Sequence, residues 1–266
     1  MGMRIVRRGN GRLMTDANFD LSGKVAIVTG GGRGLGRSIA IGLAHAGADV
    51  TVCGRKIEAC EDAAREIRAL GRRALPLSCH MGHSNEVEAV VDRTLAELGR
   101  IDIVVNNAAT NPAARPLIVG TPDLFDKVYA VNVRGPLHLA CRAAAWMADH
   151  GGGAIVNVIS VGALRPGPTI GLYCSSKSAL QTLTRVMAQE WAPLGVRVNA
   201  LAPGPVATDM VRAVEGTEFH RQMVDATSMK RIASPEEIVG SVLYLVSDAS
   251  SYTTGSTLVV DGGMNT

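Results

Sequence analysis

Thr29-Gly30-Gly31-Gly32-Arg33-Gly34-Leu35-Gly36 joins the aliphatic run Val25–Val28 to Gly34–Ala46, where apolar residues recur at helical spacing. A turn between a strand and a helix needs glycine where the backbone bends sharply or must come close to a pyrophosphate. The helix that follows offers the anion unpaired N–H groups and the positive end of its dipole. The spacing is Gly-x-x-x-Gly-x-Gly rather than Gly-x-Gly-x-x-Gly, so position in the chain carries the reading more than the motif does. The alternative, a glycine-rich turn that only packs strand against helix, leaves most of the glycines without a purpose.

Outward from this turn the chain alternates short aliphatic runs with longer amphipathic ones. Strands are expected at Val25–Val28, Val50–Cys53, Ala74–Cys79, Ile101–Val105, Ala154–Ile159, Val196–Leu201 and Leu258–Val260. Helices are expected at Gly34–Ala46, Glu58–Leu70, Asn85–Leu98, Thr121–Asp149, Tyr173–Trp191 and Pro235–Val246, several closed by glycine. Most of the strands are too continuously apolar to face water on either side. The pattern predicts an α/β fold: a single doubly wound Rossmann-type domain with a seven-stranded parallel sheet flanked by helices. At 266 residues, 47% of them hydrophobic, the chain suits one well-buried domain, placed at 21–266 behind a basic leader at 1–20.

Composition excludes several partners. The formal charge of +3 owes much to Arg4, Arg7, Arg8 and Arg12; without these four of the 27 basic residues, 23 face 24 acidic ones. No basic face for nucleic acid is expected. The leader lacks the apolar core of a secretory signal and no later run is long enough to span a bilayer, so a cytoplasmic location and no membrane partner are expected. Met14 is a candidate alternative start. Cys53, Cys60, Cys79, Cys141 and Cys174 are scattered among aliphatic residues and read as core thiols. His80-x-x-His83 has no second ligand pair at a zinc-like spacing, so no metal is expected.

Tyr173-Cys174-Ser175-Ser176-Lys177 opens the helix that runs on through Leu180, Leu183 and Met187. Tyr173 and Lys177, four apart, share a face, and an ammonium near the phenol would lower its pKa from about 10. Such a phenol can act as a general acid toward a nascent alkoxide or as a base toward an alcohol. A helix-surface pair without function is the alternative.

These segments together resemble the short-chain dehydrogenase/reductase family. Thr29-Gly-x-x-x-Gly-x-Gly36 matches its cofactor turn, Asn106-Asn107-Ala108-Ala109 resembles its Asn-Asn-Ala-Gly, and Ser160, Tyr173 and Lys177 stand at its catalytic spacing. Asn132 in Val-Asn-Val, Pro203-Gly204-Pro-Val-Ala-Thr208 and Asp261-Gly262-Gly263 extend the likeness from Gly23 to Gly263. The resemblance implies a carbonyl–alcohol oxidoreductase using NADP(H) or NAD(H), with Tyr173 as acid/base, Lys177 tuning it and holding the nicotinamide ribose, and Ser160 holding the substrate oxygen. Asn132 would anchor a water between Lys177 and solvent. The cofactor residues implied are Gly30, Gly32, Arg33, Gly34, Leu35, Gly36, Arg55, Asn106, Ala108, Tyr173, Lys177, Pro203, Gly204, Val206 and Thr208. The family also implies a homotetramer. Ala109 replaces the last glycine, and His80 stands where many members carry an aspartate to the adenine amine. Cys79-His80-Met81-Gly82 and the segment from Asn107 to Pro112 look closest to the branch of the dehydrogenase/reductase member 4 type. A non-catalytic redox sensor or scaffold and an epimerase or dehydratase are the rival readings.

Cofactor choice turns on the end of the second strand, where an NAD enzyme usually carries an acid for the ribose hydroxyls. Here Cys53-Gly54-Arg55-Lys56 has none, and Arg55 with Arg33 could grip a 2′-phosphate, so NADP(H) is expected over NAD(H). A segment at 209–231 carrying Met210, Val211, Val214, Phe219, Met223 and Met229 is expected to form a mobile lid. Leu164, Pro166, Pro168, Ile170 and Leu172 would face it, suggesting a lipophilic small-molecule carbonyl or alcohol; Arg165 or Arg212 would instead suit an acidic group.

Overall fold

The computed structural model describes residues 19–111, 115–212 and 214–266. Nearly all of the leader and Pro112 lie outside them. The elements run β1 (Val25–Thr29), α1 (Gly34–His45), β2 (Asp49–Gly54), α2 (Ile57–Ala69), β3 (Ala74–Ser78), α3 (Ser84–Leu98) and β4 (Ile103–Asn106). They continue through α4 (Pro122–Tyr129), α5 (Gly135–Asp149), β5 (Gly153–Val158), α6 (Gly171–Trp191) and β6 (Val196–Pro203). Short helices α7 (Asp209–Arg212) and α8 (Glu218–Ala226), then α9 (Glu236–Val246) and β7 (Thr257–Val260), complete the fold.

All seven strands pair in parallel in the order β3-β2-β1-β4-β5-β6-β7. The reversal of direction lies between β1 and β4, and a crevice opens there at the carboxyl ends. Successive side chains of a strand point to opposite faces. Ala26 and Val28 accordingly pack with Ile39, Leu43 and Val242 under α1 and α9, while Val25 and Ile27 pack with Val90, Leu139 and Met147 under α3 and α5. Two dry faces explain why β1 reads as an unbroken apolar run.

The long helix expected at Thr121–Asp149 is two helices separated by a π-helical segment, Ala130–Arg134. Pro136 has no N–H to continue the helical ladder through this point. Gly135 lies against the Met81 carbonyl so closely that a Cβ there would collide with it. The π segment carries Asn132. Over 209–231 the chain forms α7 and α8, and α8 has no buried residue.

Candidate active site

Thr29 ends β1 and stitches the glycine turn to the loop after β4. Its Oγ1 accepts from the backbone N–H groups of Asn107 and Ala108, each at 3.0 Å, and its carbonyl accepts from Asn107 Nδ2 at 2.9 Å. The side chain that touches the turn is therefore Asn107. Asn106 sits one layer back, buried, with its amide donating to the Pro136 carbonyl at 3.1 Å and to Asn157 Oδ1 at 2.9 Å. Asn106 ends β4 with its side chain turned toward α5 and β5, and Asn107, the first residue past the strand, turns to the glycine turn.

Helix α1 starts at Gly34 with no side chain capping its N-terminus. A Cβ on Gly36 would collide with the Gly30 carbonyl and the Asn107 amide. An uncapped helix end over a glycine cradle suits a pyrophosphate, so these residues fit a dinucleotide. Thr208 closes the other wall, its Cγ2 3.4 Å from where a Gly34 Cβ would stand. The Pro203–Thr208 loop is anchored by Gly204 N–H to the Val260 carbonyl at 2.9 Å and by buried Val206, which bridges to Ala233. Arg33 pairs with Asp209 of α7, which follows β6, at 3.0 Å. Arg55 follows β2, exposed, beside half-buried Gly54 and with no carboxylate partner among the described residues.

The proton-handling groups gather where β5 ends. Ser160 caps the turn Val161–Ala163, its hydroxyl accepting from the Gly162 N–H at 3.1 Å. Half-buried Tyr173 and Lys177 lie one turn apart on α6. Lys177 is 1% exposed; its Nζ donates to the Val158 carbonyl at 2.8 Å and lies 5.8 Å from the Tyr173 ring centroid. The expected depression of the phenol is not found. Burial pushes Tyr173 up to about 12, only partly offset by the Ser160 hydroxyl, and burial pushes Lys177 down to about 7. At both groups the cost of desolvating the charge outweighs any interaction between them. Tyr173 is thus a phenol that holds its proton, beside an amine poised to titrate near neutrality.

Asn132 is fully buried. Its Oδ1 accepts from the Thr110 N–H at 2.8 Å, and its Nδ2 donates to the Thr110 carbonyl and to Ser176 Oγ, both at 3.0 Å. Ser176 in turn donates to the Tyr173 carbonyl at 2.7 Å, so Asn132 ties the post-β4 loop to the turn of α6 that carries Tyr173. Ser176 gave no signal in the sequence, since a serine inside a helix has no spacing to mark it. A cavity beside Tyr173 is lined by Arg115, Leu117, Leu124, Val128, Ile170 and Leu172. Ile170 and Leu172 were expected there; the residues from 117 to 128 were not, because they arrive from the far side of the post-β4 loop. Arg165 donates to the Met264 carbonyl at 3.3 Å, and Arg212 lies 3.9 Å from Asp209. Among the described residues no cluster of His, Cys, Asp or Glu could hold a metal.

A family model described as Enoyl-(Acyl carrier protein) reductase matches residues 30–265. The short chain dehydrogenase/reductase AstE of Aspergillus oryzae is 40% identical over 255 residues, covering 94% of this chain and 98% of its own. Pig dehydrogenase/reductase SDR family member 4 is 36% identical over 244 residues, covering 91% and 88%. A solved 7α-hydroxysteroid dehydrogenase in complex with NADH and 7-oxo glycochenodeoxycholic acid superposes with a TM-score of 0.88 at 35% identity, covering 93% and 96%. The chain belongs to the short-chain dehydrogenase/reductase family.

Proposed function

We propose that this oxidoreductase interconverts a lipophilic ketone or aldehyde and its alcohol, with Tyr173 as the acid/base and NADP(H) preferred over NAD(H). The observation that carries the reading is the grouping of a proton-bearing Tyr173, Ser160 and buried Lys177 at the carboxyl end of β5, across the crevice from an uncapped glycine cradle. When bound, the nicotinamide ring supplies or accepts the hydride. Ser160 Oγ orients the substrate oxygen. In reduction Tyr173 gives its proton to that oxygen, and Lys177, when charged, stabilises the phenolate left behind. Asn132 holds the turn of α6 in place through Ser176 and anchors a water that leads toward Lys177. The cofactor is held by Gly30, Gly32, Gly34, Leu35 and Gly36 at the pyrophosphate, by Ala108 and Val206 along its body, and by Pro203, Gly204 and Thr208 near the nicotinamide.

The NADP(H) preference is supported by Gly54 where an acid would repel a 2′-phosphate, and by Arg55 beside it; Arg33 can join once released from Asp209. The lipophilic substrate is supported by Leu117, Leu124, Val128, Ile170 and Leu172 around the cavity. The segment 209–231 serves as a lid, and the working form is a homotetramer in the cytoplasm; exposed apolar residues such as Ile118, Phe125 and Val186 support the assembly. Light scattering at micromolar protein tests the last point. The central experiment is NADPH and NADH oxidation against a panel of aliphatic and aromatic aldehydes, ketones and quinones, repeated with Tyr173→Phe. Turnover that the variant lowers by about a thousandfold, with dinucleotide binding intact, is expected. A variant retaining a tenth of wild-type kcat removes Tyr173 from its role.

A further inference from the structure

The cavity beside Tyr173 has one charged side chain in its wall, that of Arg115, and no acidic residue. The arginines around this crevice are treated differently by the fold. Arg165 is held by the Met264 carbonyl and Arg212 lies near Asp209, whereas the Arg115 guanidinium has no partner among the described residues. Asn111, in the same wall, has no side-chain partner among them either. The rest of the wall is mostly apolar.

The backbone that carries Arg115 is fixed against the segment that leads into α6. Its N–H donates to the Thr169 carbonyl at 2.8 Å. Thr169 has a φ of +67°, a left-handed conformation that a β-branched residue takes only where its surroundings impose it. Two residues on, Gly171 makes room for Leu117, whose side chain would lie 2.9 Å from a Cβ at that position. Gly171 opens the helix that bears Tyr173. The segment leading to the proton donor therefore also seats the loop that bears the cation, and the separation between the two is set by contacts on both sides. A guanidinium offers a planar fork of donors and no acceptor, a match for a carboxylate.

We propose that the substrate is an oxo acid: a carbonyl compound with an apolar body and a carboxylate remote from the carbonyl, received by Arg115 while the carbonyl meets Tyr173. The inference rests on the carbonyl–alcohol chemistry proposed above and narrows its substrate. A neutral substrate would leave the one cation of the wall unmatched, whereas a carboxylate accepts two of its N–H groups.

The test pairs each acid with its primary amide, which keeps the shape and removes the charge: 4-formylbenzoate with 4-formylbenzamide, and 4-oxo-4-phenylbutanoate with its amide. Both kcat and KM are measured, with NADPH or NADH, for wild type, Arg115→Gln, Arg115→Lys and Arg165→Gln. In wild type at least one acid should exceed its amide about tenfold in kcat/KM. Arg115→Gln should bring that ratio close to one through KM rather than kcat, Arg115→Lys should restore part of it, and Arg165→Gln should keep it. Raising salt from about 0.05 to about 0.5 M should shrink the wild-type ratio, because an exposed charge is screened. Equal constants for acid and amide in wild type, or a loss in Arg115→Gln shared equally by both, overturns the proposal. So does turnover of other neutral carbonyls with both pairs refused. Reduction of no carbonyl at all sinks the oxidoreductase reading instead. Should Arg115→Gln not fold, the wild-type ratio and its salt dependence still decide.

Discussion

Two buried charges at opposite edges of one sheet are handled in opposite ways. Asp102, 6% exposed, precedes β4 at the amino edge and is fully partnered. It accepts from the Val25 N–H at 2.9 Å and from Arg100 Nε and Nη2 at 2.8 and 2.6 Å, with Lys24 Nζ 3.5 Å away. Lys177, 1% exposed at the carboxyl edge, has one carbonyl and, among the described residues, no carboxylate. A buried charge without a counter-ion yields by moving its pKa, and Lys177 has moved to about 7. Asp102 ties the amino ends of β1 and β4 together, whereas Lys177 has a carbonyl partner and a perturbed pKa of the kind that gathers at functional sites.

Substituting Lys177→Met should break the contrast most sharply. With the hydrocarbon volume kept and the buried amine gone, kcat/KM should fall by about a thousandfold while the thermal midpoint holds or rises. A large fall in the midpoint would make Lys177 a structural charge like Asp102. The reciprocal change, Asp102→Asn, should cost about 3 kcal/mol in denaturant unfolding by stranding Arg100 and Lys24, yet leave kcat per folded molecule within about twofold.

The pH dependence sharpens the same point. Because the Lys177 pKa is lowered to about 7, the ammonium is present below that pH and lost above it. Tyr173, pushed up to about 12, keeps its proton across the same range. Reduction should therefore slow by about tenfold per pH unit above neutrality as support for the departing phenolate is lost. A flat profile from pH 6 to 9 would mean that the charge on Lys177 does not matter. The smallest effect belongs to a charge that is not buried at all: Arg55→Ala should weaken NADPH by about tenfold and NADH by less than twofold in direct binding. Equal losses would remove Arg55 from the 2′-phosphate.

The paired asparagines show how far a linear reading reaches. Their place after an aliphatic run points to the end of β4, but which amide turns toward the glycine turn depends on the packing of α5 and α6 behind the strand, with Asn157 and Pro136 waiting for Asn106. The helix through Asn132 is a similar case, because apolar spacing continues across a π segment that only the Thr110 backbone and the Met81 carbonyl reveal.

Alternating aliphatic and amphipathic runs, the glycine turn and the four-residue step from Tyr173 to Lys177 needed no partner to be legible. They specify where the backbone bends and which side chains share a face, and those are properties of neighbours along the chain. The protonation of Tyr173 and Lys177 and the capture of Arg33 by Asp209 came from burial and from groups distant in sequence. Charge and proton position depend on how much water the fold removes and which dipoles replace it, and no spacing along a chain encodes that.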